Sequence, residues 1–346
     1  MDYRRLGRSG LRVSTIAFGT GTFGAADNLA VWGHTDLDGA RRQLGMCLDA
    51  GVNLVDTADS YSRGASEEIV GRALEGHRDD VLISTKVRFP MGDGPNDAGL
   101  SRHHVVRSAE ASLRRLRTDH IDVYTVHEWD GQVPLEETLR ALDDLVRAGK
   151  VRYLAVSNYA GWQLMKALAV SDAHGWERFT GTQIYYSLES RDAEYELLPL
   201  AVDQGLGVLV WSPLAGGLLA GKYRRGSTPE QGRHLGDWHE PPVRDQERLY
   251  DTVDVLVGIA ERRGITPSQA ALAWLLTRPA VSTLVIGART DAQLAGNLAV
   301  TDVTLDADDL AALDAISTPP LIYPHWHQRA MPDDRRGPSD HVLHPG

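Results

Sequence analysis

Three apolar runs of the chain end in polar side chains that an ordinary buried strand would avoid. Asp56 closes "GVNLVDTA", Lys86 falls near the end of "DVLISTKV", His127 ends "HIDVYTVH", and Tyr61 follows Asp56 by five residues. Only four of the 36 basic residues are lysines (Lys86, Lys150, Lys166 and Lys222), so a lysine inside "LISTKV" is not a routine surface choice. A buried ammonium needs a carboxylate, which Asp56 on an adjacent strand can supply. Beside that ammonium a tyrosine hydroxyl is expected to have its pKa pulled down, because the phenolate is favoured by the nearby positive charge. A histidine at the same rim can orient a carbonyl oxygen or pass a proton. Together the four groups suit the reduction of a carbonyl, with Tyr61 delivering the proton to oxygen.

Each residue taken alone has a plainer reading. Asp56 and Lys86 read as a structural ion pair, His127 as a rim histidine with its hydrogen bonds met, and Tyr61 as a half-exposed aromatic. Asp56, His127, Glu128 and Asp130 also form a conceivable metal set. Consecutive residues of "HEWD" alternate faces on a strand, however, and no second histidine stands at a ligand spacing.

These side chains must be positioned by alternating elements. Eight β-like runs recur: "VSTIAFG", "GVNLVDTA", "DVLISTKV", "HIDVYTVH", "KVRYLAVSN", "TGTQIYYS", "GLGVLVWSP" and "VSTLVIGA". Helical segments lie between them, such as "SRHHVVRSAEASLRRLRT", capped by Ser101, and "VPLEETLRALDDLVRAGK", with Pro134 near its first turn. Eight βα units imply an α/β fold, a (β/α)8 barrel, whose chemistry gathers at the C-terminal strand ends. At that rim the fifth run adds Ser157 and Asn158, the sixth Gln183, and the seventh continues into "WSPLAGGLLAGKY". The N-terminal segment 1–14 reads as a β-hairpin, with Ser9-Gly10 at its turn, placed to plug the barrel floor. A polar loop from Lys222 to Arg244 and a tail, 319–346, make up the extra length. Residues 1–346 are read as one domain.

The net charge of -11 argues against nucleic acid or an anionic membrane surface as a general partner. One cysteine, Cys47, excludes an internal disulfide, and the charged start with no long apolar run reads as cytoplasmic. Gly19, Gly21 and Gly24 reproduce the G-x-G-x-x-G spacing of a dinucleotide-binding turn. That turn must open a helix at once, and here the helical pattern resumes only at "TDLDGARRQLGMCLDAG", so the fingerprint fails its context.

Seven motifs in order, "GVNLVDTADSYSRGASEEIVGRAL", "ISTKV", "YTVHEWD", "VRYLAVSNY", "TQIYYSLESR", "VLVWSPLAGGLLAGKY" and "VIGARTDAQLAGN", resemble the aldo-keto reductase superfamily over almost the whole chain. The likeness is strongest to the branch that includes bacterial reductases and potassium-channel β subunits. It implies a barrel that binds NADPH, in preference to NADH, without a Rossmann domain, and acts on a small-molecule carbonyl. By this resemblance Asp56, Tyr61, Lys86 and His127 are the catalytic tetrad. Ser157, Asn158 and Gln183 contact the nicotinamide carboxamide, and Tyr186 stacks on its ring. Gly19, Thr20 and Gly287 fall at strand ends against the cofactor. Trp211 is a further cofactor contact, and Ser212, Pro213, Leu214, Gly216, Leu218, Gly221 and Lys222 belong to the segment Ser212 to Lys222 that corresponds to the loop over the pyrophosphate. Arg289 faces the 2′-phosphate, and Gln293 and Asn297 the adenine. Gly296 departs from the acidic residue that many relatives carry before Asn297, and "VIGAR" lacks a proline common in that motif. Phe23, Trp32, Phe89 and Trp129 are expected to wall the substrate pocket, and the aromatic tail "LIYPHWHQRAMPDD", with Tyr323 and Trp326, has two readings, closing the mouth or docking on the barrel. A cofactor-holding regulatory module with slow turnover is the alternative to a reductase; oligomeric state does not follow from these residues.

Overall fold

The computed structural model describes residues 1–24, 32–227, 229, 232–235 and 240–343. Parts of the polar loop and the last three tail residues lie outside the described residues. A short antiparallel hairpin opens the chain: β1 (Tyr3–Arg5) pairs with β2 (Arg12–Ser14). Its positive φ falls at Gly7 and not at Gly10, and Ser9 Oγ donates to the Leu6 carbonyl. Eight parallel strands then close a barrel: β3 (Ile16–Gly19), β4 (Leu54–Asp56), β5 (Leu82–Val87), β6 (Ile121–Val126), β7 (Val151–Ser157), β8 (Phe179–Tyr185), β9 (Gly207–Trp211) and β10 (Val281–Ile286). The order around the barrel follows the chain, and β10 returns to pair with β3.

Helices follow most strands and form the outer layer: α1 (Leu37–Asp49), α2 (Ala65–Ala73), α3 (Arg102–Leu116), α4 (Leu135–Arg147), α5 (Gly161–His174) and α6 (Leu197–Gln204). Next come α7 (Gln246–Arg263), α8 (Pro267–Leu276), α9 (Asp291–Leu298), α10 (Ala307–Ser317) and the short α11 (His325–Gln328). Several begin as local chemistry demands. Asp36 and Ser101 accept from the amides of Gly39 and His104, and Thr266 with Gln269 forms a reciprocal capping box ahead of Pro267.

Two apolar layers hold the barrel. The larger lies between strands and helices, built from residues such as Val105, Leu142, Leu168, Leu256 and Trp274. The smaller fills the barrel floor, where Leu6 of the hairpin packs with Ala17, Leu54, Val123, Ala155, Leu209 and Val285. Leu6 is fully buried, so the hairpin is a plug, as its position in the sequence suggested. Because the floor is sealed by hydrocarbon, polar groups inside the barrel accumulate at the opposite end. Cys47 is buried, and burial pushes its thiol pKa up to about 12, so it is a packing residue.

Candidate active site

Strand alternation puts Asp56, Ser84, Lys86 and Gln183 together in the barrel. Lys86 Nζ donates to Asp56 Oδ2 at 2.6 Å, to the Thr57 carbonyl at 2.8 Å and to Tyr61 Oη at 3.3 Å. Asp56 Oδ1 accepts from Ser84 Oγ at 3.0 Å and from Gln183 Nε2 at 2.9 Å. The Lys86 and Asp56 side chains are 0% and 2% exposed, so this is an ion pair out of water with its hydrogen bonds filled. Burial acts against the ammonium, but Asp56 and Tyr61 outweigh it and hold the Lys86 pKa above its ordinary value.

Tyr61 sits in a 3₁₀ turn between β4 and α2. Its pKa is raised, a correction to the sequence expectation: burial disfavours the phenolate by more than the Lys86 charge favours it. The Tyr61 and His127 rings meet edge to face at 5.9 Å, and Phe89 covers His127 at 4.6 Å. His127 is buried, its Nδ1 has no partner, and burial, Lys86 and Arg88 hold its pKa well below the ordinary value. The imidazole is therefore neutral in neutral solution. It can donate a hydrogen bond to a carbonyl oxygen but carries no spare proton.

Around this centre, Asn158 donates from Nδ2 to the His127 carbonyl at 3.1 Å and accepts from Trp211 Nε1 at 3.1 Å. Ser157 is buried beside it at the end of β7. Tyr186 does not face this mouth: it is fully buried, its hydroxyl bonded to Glu194 at 2.5 Å and its ring 5.7 Å from Trp274 of α8. Side chains alternate along β8, so Tyr185 shares a face with Gln183 while Tyr186 turns outward. Tyr185 lies 5.1 Å from the half-exposed Trp211 ring, which makes Trp211 the aromatic available at the rim.

Phe23 is likewise no pocket wall. It is fully buried against Phe18 at 5.7 Å. Trp32 lies so near Gly21 that a Cβ there would meet its ring at 2.6 Å, and it engages two arginines. Arg233 lies over the Trp32 ring at 4.9 Å, and Arg289 Nε donates to the Trp32 carbonyl at 3.1 Å. Thr20 is buried, its hydroxyl turned to the Asp56 carbonyl and Ser66, its amide donating to the Asp56 carbonyl and its own carbonyl accepting from the Phe23 amide and Ser66 Oγ, so it braces the strand end. Phe89 and Trp129 remain at the mouth, Trp129 meeting Tyr159 at 5.2 Å and Trp162 at 5.7 Å.

The segment after β9 fits an anion. Ser212, Ala215, Gly216 and Gly217 adopt positive φ (47°, 51°, 64° and 95°), a run that turns successive amides toward one side. Pro213 and Leu218 are buried and support it from below, and Gly221 packs against Pro267. Lys222, Arg233 and Arg289 crowd one another: burial and then the neighbouring cations lower the Lys222 pKa, and they bring Arg233 down to about 10. Such mutual repulsion is relieved by a polyanion. Gly287 lies beside the Gly19 carbonyl, Gln293 accepts from the Arg289 amide at 3.0 Å, and Asn297 is half-buried on α9.

The sequence reading missed Arg233, Tyr185, Asp59 and Arg88. Tyr185 was accessible by counting two from Gln183. Asp59 is buried with neither oxygen partnered, and burial and then Glu67 push its pKa well above the carboxylate range. The tail docks on the barrel at Tyr195, which donates to the Pro320 carbonyl and stacks on His325, while Tyr323 and Trp326 stay exposed. Among the described residues, no group of three His, Cys, Asp or Glu is placed to hold a metal, and no helix is long and apolar enough to cross a membrane.

Comparison with known proteins agrees with this geometry. The chain is 38% identical over 91% of its length to a Bacillus subtilis protein named "Uncharacterized oxidoreductase YrpG", covering 96% of that protein. It is 37% identical over 88% of its length to an Arabidopsis thaliana "Probable voltage-gated potassium channel subunit beta" (92% of that protein). It is also 33% identical over 94% of its length to the "Versiconal hemiacetal acetate reductase" of Aspergillus parasiticus (99% of that protein). The sequence profile of the aldo/keto reductase family matches residues 15–318, so a closed eight-stranded barrel with a buried Asp56–Lys86 pair under Tyr61 belongs to a member of that family.

Proposed function

We propose that the protein is an NADPH-dependent reductase of aldehydes or ketones with Tyr61 as general acid, working in the cytoplasm. The observation that carries this reading is the direction of the hydrogen bonds at Tyr61. Lys86 can only donate, so it occupies a lone pair of the Tyr61 oxygen and leaves the hydroxyl proton free for a substrate oxygen. Burial keeps that proton on the ring until it is needed, and the ammonium 3.3 Å away is already in place to stabilise the phenolate once it leaves. Asp56 fixes the ammonium and Gln183 and Ser84 fix Asp56, so little rearrangement accompanies proton transfer. Neutral His127 orients the carbonyl oxygen by hydrogen bonding.

When bound, NADPH supplies the hydride to the carbonyl carbon. Ser157, Asn158 and Gln183 would hold its carboxamide, and Trp211, in place of Tyr186, its ring. The turn from Ser212 to Lys222 would hold the pyrophosphate, and Arg289 with Arg233 the 2′-phosphate. A planar guanidinium suits that group, which is the basis for preferring NADPH to NADH. A slow-turnover regulatory module is the second reading, favoured by the likeness to the Arabidopsis protein named a probable channel subunit.

Fluorescence titration with NADPH and NADH, followed by NADPH oxidation against aromatic aldehydes, cyclic ketones and keto-sugars, separates the two. Tight binding with turnover supports the reductase. Binding without turnover of any carbonyl favours the module, and no binding overturns both.

A further inference from the structure

Two residues beyond Lys86, Arg88 holds an uncommon backbone conformation at the rim of the site. Its φ is 148°, a region that residues with a Cβ rarely enter and that persists only where surrounding contacts impose it. Two backbone contacts impose it: the Val87 carbonyl accepts from the His127 amide at 3.0 Å, and the Arg88 carbonyl accepts from the Gly99 amide at 2.8 Å. The outcome is a guanidinium directed along the mouth. It lies over the Phe89 ring at 5.2 Å; Phe89 meets His127 at 4.6 Å, and His127 meets Tyr61 at 5.9 Å. Arg88 is also among the charges that act on His127, so its field reaches the reacting centre.

The guanidinium fork is only partly used. Nη1 pairs with Glu128 at 3.2 Å, Nη2 donates to the Trp129 carbonyl at a long 3.4 Å, and Nε is buried with no acceptor. The Arg88 and Glu128 side chains are 30% and 43% exposed, and an ion pair so wetted and engaged through one nitrogen is worth little. A planar carboxylate that engages two nitrogens of the fork is a better partner than this single contact. Phe89 and Trp129 flank the approach, which suits a flat body carrying that carboxylate.

Resting on the reductase reading above, we propose that Arg88 is a specificity-determining anion subsite, receiving the carboxylate of an aromatic carbonyl substrate at the far side of the ring from the reacting carbon, with Glu128 as the resident counter-ion that gives way. Glu128 then disfavours anions that cannot reach the fork, and it keeps Arg88 from binding small anions indiscriminately.

The test compares kcat/KM for 4-carboxybenzaldehyde and 4-methylbenzaldehyde, with NADPH, in the wild type, Arg88→Gln and Glu128→Gln. Calorimetric binding of the two matching benzyl alcohols in the presence of NADP+ is measured on the same samples. The wild type should prefer the carboxylated aldehyde. Arg88→Gln should lower the carboxylated-to-methyl ratio about tenfold or more, the size expected for losing a charge-assisted contact, and Glu128→Gln should raise it several-fold. An unchanged ratio in Arg88→Gln overturns the proposal. Should that variant not fold, a ratio that fails to rise in Glu128→Gln overturns it instead. If the wild type turns over neither aldehyde, the reductase reading is at fault and calorimetry alone decides the subsite. Tenfold weaker binding of the carboxylated alcohol to Arg88→Gln upholds it; equal binding, or none to the wild type, overturns it.

Discussion

Replacing Lys86 with methionine tests whether the tetrad is held together as its geometry implies. The substitution keeps most of the side-chain volume and removes the charge that Asp56 faces at 2.6 Å in a site where both side chains are at most 2% exposed. Ser84 and Gln183 remain as donors to the other Asp56 oxygen, but two neutral donors do not replace an ammonium. Breaking a buried pair by removing one partner costs about 3–5 kcal/mol. For a chain this long each kcal/mol moves the melting temperature by roughly 1–2 °C, so a fall of roughly 3–10 °C is expected. The loss should also depend on pH. In the variant Asp56 is a buried carboxylate without its counter-charge, and its folded pKa rises above the unfolded value of about 3.9. The folded state then binds the extra proton between those two values, so the deficit relative to wild type is small near pH 4, grows as pH rises and levels off above the raised pKa. Adding Asp56→Asn should recover much of the loss and abolish its pH dependence. Urea and thermal unfolding from pH 4 to 8 measure all of this. A pH-independent cost below about 1 kcal/mol would refute the buried-pair argument.

Tyr61→Phe should leave NADPH binding by fluorescence near wild type while lowering kcat about 10²- to 10⁴-fold, the range for a lost general acid; wild-type rates on several carbonyls would remove Tyr61 from that role. Because the His127 pKa lies well below 6.5, kcat/KM should show no His127 inflection between pH 6 and 8. An inflection there that His127→Asn abolishes would contradict the neutral imidazole. Arg289→Ala should weaken NADPH binding about 10- to 100-fold, as for one charge-assisted contact, and NADH binding little; equal losses would move the 2′-phosphate elsewhere. Leu6→Ala, which empties part of the barrel floor, should cost about 2–5 kcal/mol in urea unfolding. A cost below about 1 kcal/mol would show that the hairpin is not a plug.

The barrel and most of the tetrad were legible in the chain because both rest on local pattern. Alternating apolar runs and capped helices announce the βα repeat, and a lysine ending an apolar strand is improbable enough to be informative. Seven motifs in order located the loop after β9 and Arg289 by resemblance. What failed shows where local pattern stops. Tyr186 and Phe23 are aromatics next to the right positions, but which face each takes depends on strand register and on how α8 and Phe18 pack around them. Tyr61 was expected to titrate low because its charged neighbour is visible in sequence, whereas the desolvation that wins belongs to the closed barrel and appears only when the strands assemble. Arg88 and Arg233 lie in connecting segments whose composition signals nothing, and their positions over the Phe89 and Trp32 rings emerge only when the loops fold. The sequence by itself determined the element order, the ends of the strands and which of them carry charge. Only the tertiary structure decided which of those groups leave water together, because burial and charge neighbourhood are properties of the closed barrel and of no segment within it.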